Sequence, residues 1–196
     1  AKKAELRELQ TKRLAHAPTE GRGPLAAPPG VWIQNATIWT CGPAGRLTNA
    51  SLHIVDGKVN QAGHFKLQPI AGTLVTDGTG LHVTPGLVDC HSHAMILGAV
   101  NEGTLPSTAM VRVGDVVNSE TPNLHLELAG GLTTANLLHG SANPIGGQNQ
   151  VIKLKDGAPP EELKFAAATP GIKFALGENV KQSNWGERNV TRFPQT

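Results

Sequence analysis

The chain has 196 residues and a formal net charge of +2, and only 16% of its residues are charged. It lacks the concentrated positive charge of a nucleic-acid-binding protein, so we expect no nucleic-acid partner. No apolar run approaches the roughly 20 residues that cross a bilayer, so no membrane span is predicted. The two cysteines exclude a disulfide framework. The compartment stays open between cytoplasm, periplasm and secretion.

The first 30 residues are predicted to precede the folded domains. Residues 1–14 combine many charged side chains with leucines on one side, which indicates a solvated helix. Residues 15–30 are rich in proline and glycine, the composition of a linker. We therefore expect the first ordered domain to begin at Val31.

Residues 31–83 show short runs of β-branched and aromatic residues with a period of two, which is typical of β-strands. Asp56-Gly57 lies between two such runs and predicts a tight hairpin turn. The segment is therefore predicted to form a small antiparallel β-sandwich module.

A short apolar run, Leu87 to Cys90, leads into two histidines separated by one residue. Alternate residues of a strand face the same side, so His91 and His93 should project together. Neutral imidazoles in this arrangement suit a divalent metal ion, and the plainer interpretation is a pair of surface histidines at a strand end. Cys90 should face the opposite side, where a buried thiol is expected.

Residues 119–138 predict a crossover that starts from the histidine strand. Ser119 or Thr121 is suited to cap a helix that Gly130 ends, and residues 132–138 form the next apolar strand. A strand, a helix and a second strand in this order form the parallel unit of α/β folds.

Three further elements are predicted in the remaining sequence. A short strand at residues 151–154 has no helix before it, so we interpret it as an excursion from the barrel. A crossover helix is predicted at residues 159–168 and the next barrel strand at residues 171–179.

Val83–His93, with the sequence VTPGLVDCHSH, resembles a signature of the amidohydrolase superfamily, in which Pro-Gly, two apolar residues and Asp precede His-x-His. The resemblance spans about residues 31–180 and is nearest to the imidazolonepropionase- and prolidase-like branches. It implies an α/β fold in which residues 84–196 form the first strands of an incomplete (β/α)8 TIM-type barrel, preceded by the β-sandwich module. It also implies that His91 and His93 bind one or two Zn2+ ions, with other divalent metals as alternatives.

Residues 171–179 offer two candidates for a bridging metal ligand. In the superfamily branches that use a carbamylated lysine, Lys173 would supply an anionic oxygen after reaction with CO2. In the branches that use a glutamate, Glu178 would bind the metal directly. Counting this segment as the third barrel strand favours Glu178, whereas counting residues 151–154 as a barrel strand favours Lys173. A salt bridge inside the barrel is the structural alternative for either residue.

The loop after the second barrel strand is predicted to contact the substrate. His139 ends that strand, on the face where barrel active sites are built. Asn143 and Gln148 lie in the Gly-rich segment that follows, where glycines allow a ligand to approach the backbone. The alternative is that both amides hold the loop in place by hydrogen bonds.

The predicted function is hydrolysis of a C–N bond in an amide, a peptide or a cyclic amide by a metal-activated water. By the resemblance, a general-base aspartate lies outside this chain. A closed barrel needs eight strands and about 250 residues. We therefore expect a second polypeptide, or the rest of the same protein, to complete the barrel, and we expect an oligomer. The alternative function is a non-catalytic scaffold or binding protein with an amidohydrolase-like fold.

Overall fold

The computed structural model describes residues 27–101 and 105–181. They divide into two compact units between Pro85 and Gly86, the first built of β-strands and the second of strands and short helices. The predicted N-terminal helix, most of the predicted linker and the C-terminal polar stretch lie outside the described residues. None of the described helices has the length and apolar content needed to span a membrane.

The strands of the first unit form one five-stranded sheet. Their bounds are β1 Gly30–Trp39, β2 Arg46–Val55, β3 Lys58–Gly63, β4 Leu74–Asp77 and β5 His82–Val83. β1 pairs antiparallel with β2, and β2 with β3, while β4 and β5 both lie parallel to β1. The all-antiparallel prediction is therefore wrong for β4 and β5, because residues 64–73 carry the chain to the far edge of β1. The described residues here form a single sheet, so a sandwich stays a prediction.

The hairpin predicted at Asp56-Gly57 is confirmed. Both residues have positive φ, 47° and 71°, and they join β2 to β3. Positive φ at both central positions defines the type I′ turn, whose twist matches that of the flanking strands.

The core of the first unit lies on one face of the β1–β2 pair. It is formed by Ala36, Ile38, Ala50 and Leu52, which are at most 8% exposed. Asn35 and Asn49 lie at the register shifts of this pair and have positive φ, a conformation that asparagine tolerates better than most residues.

In its described residues, the second unit has five strands and four short helical segments. Their bounds are β6 Leu87–Ser92, a 3-10 helix Val113–Val116, α1 Pro122–Ala129, β7 Leu132–Leu137, β8 Ile145–Gln148, β9 Gln150–Lys153, α2 Pro160–Leu163, β10 Ile172–Phe174 and α3 Glu178–Lys181. β6 and β7 are parallel with α1 between them, which confirms the predicted strand-helix-strand unit. β9 pairs antiparallel with β7. This confirms the prediction that the short strand at residues 151–154 is an excursion and not a parallel barrel strand.

Local sequence explains both ends of α1 and the close approach of β6 to β7. The Thr121 side chain accepts a hydrogen bond from the backbone N–H of Asn123, and Gly130 ends the helix. A side chain at Gly86 would place its Cβ 2.1 Å from the Thr133 hydroxyl oxygen. The glycine of the Pro-Gly pair is therefore required where β6 meets β7.

Two predicted elements differ from the observed ones. The helix predicted at residues 159–168 is one turn, because Lys164 becomes extended and bridges Ile152, while the N–H of Phe165 donates to the carbonyl of Val151. The barrel strand predicted at residues 171–179 has only three residues. It pairs antiparallel with β8, in a segment predicted to be loop, rather than with β7.

The core of the second unit lies between α1, β7, β9 and the 3-10 helix. Leu124, Leu137, Ile152 and Leu163 have no exposed surface within it. Cys90 is exposed, so the buried thiol predicted there is wrong. Val88, two residues earlier on β6, is 69% exposed, which indicates that the described residues leave this part of the strand uncovered.

Candidate metal centre

Two hydrogen bonds hold the end of β6, one with a side chain of the strand itself and one with the residue after β7. The Asp89 carboxylate accepts a hydrogen bond from the backbone N–H of His91 at 3.0 Å. The backbone N–H of Leu138 donates to the carbonyl of Ser92 at 2.9 Å. These bonds fix the backbone of His91 and of Ser92, the residue between the two histidines.

The two histidines of the motif converge, as their spacing predicts. The Nε2 atoms of His91 and His93 lie 3.2 Å apart, and the rings meet edge to face with centroids 5.0 Å apart. Two Zn–N bonds of about 2.05 Å at a tetrahedral angle would separate their nitrogens by about 3.3 Å. The observed separation therefore fits two imidazole ligands of one metal ion.

The tautomer of His93 also suits a metal ligand. Its Nδ1 lies 2.9 Å from the carbonyl oxygen of Leu138. A carbonyl only accepts, so in the neutral ring Nδ1 carries the proton and the lone pair is on Nε2. A carbonyl in this position is the usual outer partner of a metal-binding histidine.

Lys173 is the third group at this site. Its Nζ lies 3.2 Å from Nε2 of His91. The Lys173 ammonium lowers the pKa of His91, and burial and His93 act in the same direction, whereas Asp89 opposes them. His91 is thereby biased toward the neutral form, the form that binds metals.

Glu178 lies five residues after Lys173, at the first position of α3, and its side chain is exposed. Within residues 27–101 and 105–181, no three His, Cys, Asp or Glu side chains group as a metal site. Glu178 was favoured by counting residues 171–179 as the third barrel strand. That count does not hold, because β10 is not paired in parallel with β7.

The three predicted substrate residues are bonded to the backbone of the second unit. His139 is 6% exposed, with Nδ1 3.0 Å from the carbonyl of Gly140. The buried Asn143 amide donates to the carbonyl of Leu105 at 2.8 Å, and the exposed Gln148 amide donates to the carbonyl of Ala109 at 3.1 Å. These bonds favour the loop-holding alternative for the two amides, and substrate contact stays a prediction.

The sequence motifs did not indicate Asn136 and Asn149, whose side chains form a hydrogen bond with each other. Asn136 also hydrogen-bonds the backbone of β6, and Asn149 that of Gly171, the residue before β10. Asn136 could have been noticed from the sequence, because it is a polar residue inside the predicted strand 132–138, where apolar residues dominate. Asn149 lay within a segment interpreted as loop and had no such signal.

Comparisons with known proteins agree with the motif. An amidohydrolase from Thermotoga maritima MSB8 superposes with a TM-score of 0.67 and 33% sequence identity, over 78% of this chain and 40% of that protein. Amidohydrolase tasK of Hapsidospora irregularis is 31% identical over 142 residues, which are 63% of this chain and 14% of tasK. An imidazolonepropionase of Shewanella halifaxensis is 37% identical over 59 residues, which are 29% of this chain and 14% of that protein.

No protein-family model matches the chain. The matched region spans about one seventh of the length of the two curated relatives. The tasK protein and the Thermotoga structure nevertheless both have the name amidohydrolase, and the superposition covers most of this chain. The chain belongs to the amidohydrolase superfamily.

Proposed function

We propose that the protein containing this chain is a metal-dependent hydrolase that cleaves a C–N bond of an amide, a peptide or a cyclic amide. One observation carries the proposal: two imidazole Nε2 atoms lie at the spacing of two ligands of one metal, with the Lys173 side chain beside them. The relatives named amidohydrolase and imidazolonepropionase support hydrolysis at such bonds. Divalent metals are general in the superfamily, and zinc fits this nitrogen donor pair.

Lys173 would take part as a carbamate. Its neutral amine attacks the carbon of CO2, forms an N–C bond and releases one proton, which leaves an anionic carboxylate on the side chain. An ammonium 3.2 Å from His91 repels a metal cation there, and carbamylation reverses that charge. The same reaction adds oxygen donors, which neither histidine provides.

Other groups of this chain hold and orient the two histidines. The Leu138 carbonyl keeps the proton on Nδ1 of His93, and the Asp89 carboxylate fixes the backbone of His91. A divalent metal bound there would polarise the scissile carbonyl and activate water. The general base would be an aspartate outside this chain, as the resemblance to the superfamily implies.

Several exposed apolar side chains support a further polypeptide around the second unit. On β6, Leu87 is 58% exposed and Val88 69%. Phe174 on β10 is 62% exposed, and Leu176, just after that strand, is 83% exposed. A large apolar side chain left in water forfeits about 1.5–3 kcal/mol, so coverage by the rest of the protein, or by a second polypeptide in an oligomer, is favoured. Residues 1–196 expressed alone should therefore aggregate, and a monomer with sharp, dispersed amide resonances would contradict this.

The experiment for the metal site compares two double variants of the whole protein. His91→Ala/His93→Ala should lose most bound zinc and activity, because both nitrogen ligands are removed. His53→Ala/His64→Ala removes two histidines of the first unit and should keep both. Equal zinc content in the two variants would overturn the metal assignment and leave the scaffold as the better function.

A second experiment separates Lys173 from Glu178. If the carbamate binds the metal, 13C-bicarbonate should give a carbamate signal that Lys173→Ala abolishes, and metal loading should rise with bicarbonate. Metal loading that does not depend on bicarbonate and is lost in Glu178→Gln would assign the metal-binding role to Glu178.

A further inference from the structure

A line of side-chain amides connects the histidine strand to the start of β10. The Asn136 amide of β7 donates to the carbonyl of Cys90, next to His91, at 3.3 Å. The Asn149 amide donates to the side-chain oxygen of Asn136 at 2.6 Å. The side-chain oxygen of Asn149 in turn accepts from the backbone N–H of Gly171, also at 2.6 Å. The two asparagines and Gly171 form what we call the amide relay.

Asn149 occupies a particular place in the fold. It is the single residue between β8 and β9, which belong to different sheets: β8 pairs with β10, and β9 with β7. Its backbone N–H donates to the carbonyl of Gly171 at 3.0 Å, so backbone and side chain together bind both polar groups of one glycine. Asn149 thereby ties the short sheet of β10 to the sheet that carries the histidines.

The relay ends two residues before Lys173. Since alternate residues of a strand face the same side, the position of Gly171 sets the side from which Lys173 leaves β10. A Cβ on Gly171 would approach the Asn149 side-chain oxygen to 3.1 Å, so the glycine admits this close contact. The 3.2 Å separation of Lys173 Nζ from His91 Nε2 therefore depends on how β10 is fastened.

The bonds require an amide at position 149. The side chain donates to Asn136 and accepts from Gly171 at the same time, through the separate N–H and oxygen atoms of its amide. Aspartate at this position keeps the acceptor for Gly171 but loses the donor to Asn136, and its negative charge would face the Asn136 oxygen. Alanine has neither a donor nor an acceptor.

We propose that Asn149 is a positioning residue, which acts through Asn136 and Gly171 to hold Lys173 against His91. The proposal rests on the proposed function, in which Lys173 completes the metal site. Outer partners of metal ligands affect metal affinity by about 10–100-fold. Asn149 would act on Lys173 in this way through its hydrogen bond to Gly171, two residues before it.

The test uses the whole protein with Asn149→Ala, Asn149→Asp, Asn136→Ala and, as a matched control, Asn123→Ala on the exposed surface of α1. Zinc affinity is measured against a chromophoric chelator over a range of bicarbonate concentrations. In metal-free protein at fixed pH, the 13C-labelled imidazole resonance of His91 reports whether Lys173 is adjacent, with Lys173→Ala giving the reference for its absence.

Asn149→Ala should weaken zinc binding by about tenfold or more, raise the bicarbonate needed for loading and move the His91 resonance toward that of Lys173→Ala. Asn123→Ala should change none of these. Wild-type zinc affinity and an unmoved His91 resonance in Asn149→Ala would overturn the proposal. If this variant does not fold, the same criteria apply to Asn149→Asp, which keeps the bond to Gly171 but loses the donor to Asn136 and thus the tie between the two sheets. If the wild-type protein binds no zinc, the proposed function fails, and the His91 resonance still decides the positioning role.

Discussion

The two units of the chain are assembled over different sequence distances. In the first unit, β1, β2 and β3 follow one another as hairpins, and the core lies on neighbouring strands. In the second unit, Lys173 contacts His91 across 82 positions and His93 contacts Leu138 across 45. The hairpins of the first unit therefore follow from local pattern. The candidate site depends on how distant strands are held together, as does the parallel pairing of β4 and β5 with β1.

The largest expected effect comes from opening a cavity beside the site. Leu137 on β7 is fully buried and precedes the carbonyl that orients His93. Leu137→Ala should cost about 2–5 kcal/mol of unfolding free energy and also weaken zinc binding. Denaturant unfolding and a zinc titration of the whole protein measure both.

Leu52→Ala is the matched change in the first unit, where Leu52 is 8% exposed. It should destabilise its own sheet and leave zinc affinity unchanged, since the contacts of the site lie in the second unit. A similar loss of zinc affinity in both variants would contradict a metal site formed by the second unit alone.

An overpacking substitution tests how closely the first unit is packed at Gly78. A Cβ on Gly78 would lie 2.8 Å from the Cβ of Ala36 and 2.9 Å from the carbonyl of Gln34. Gly78→Ala should therefore cost about 1–3 kcal/mol, seen as a lower urea midpoint for the first unit. Gly45→Ala is the control for loss of glycine: it has open space but a φ of 60°, so any cost there is backbone strain alone. Equal midpoints for Gly78→Ala and wild type would contradict the crowding.

Where a sequence signal is local, prediction and structure agree. Asp56-Gly57 has the residue types that a type I′ turn needs, and Thr121 with Gly130 supplies both ends of α1. The convergence of His91 and His93 follows from strand alternation alone. Each of these depends on residues within a few positions of one another, so a single sequence contains the necessary information.

Where partners lie far apart, the sequence was not sufficient. Residues 159–168 have a helical pattern, yet pairing of Lys164 with Ile152 stops the helix after one turn. The sequence could not choose between Lys173 and Glu178, because the choice depends on which strand β10 pairs with. The amide relay went unnoticed for the same reason, since Asn149 and Gly171 are 22 positions apart.

Removal of the α1 cap has a smaller expected effect. The Thr121 hydroxyl oxygen accepts from the N–H of Asn123 at 3.4 Å, near the long limit for a hydrogen bond. Thr121→Ala should therefore cost about 0.5–1 kcal/mol, at the lower end for such caps. Thr121→Ser keeps the hydroxyl and should restore most of the stability. A Ser variant no more stable than the Ala variant, judged by thermal unfolding, would show that the cap contributes nothing.

The smallest expected effect concerns pH and the edge of the first sheet. Asp77 at the end of β4 accepts from the Asn35 amide at 3.0 Å and from the backbone N–H and hydroxyl of Thr79 at 3.1 and 2.7 Å. The bonds from Asn35, and then those from Thr79, hold the pKa of Asp77 below its ordinary value of 3.8. A depressed folded-state pKa adds stability above the unfolded-state value, and this contribution is lost as the pH falls through the folded-state value.

Asp77→Asn should thus keep the stability of the first sheet near neutral pH, because the amide oxygen still accepts from Thr79, and should flatten its decline below about pH 4. Amide hydrogen exchange of β1 and β4, taken at several pH values and corrected for intrinsic rates, measures this in the whole protein. Asp56→Asn, in the β2–β3 turn and compatible with its positive φ, is the matched control and should leave the decline as in wild type. Because Asp77 is exposed and water screens its charge, the difference should be small and confined to the acid range. An equally steep acid decline in Asp77→Asn and wild type would mean that the Asn35 and Thr79 bonds give the carboxylate no preference for its ionised form.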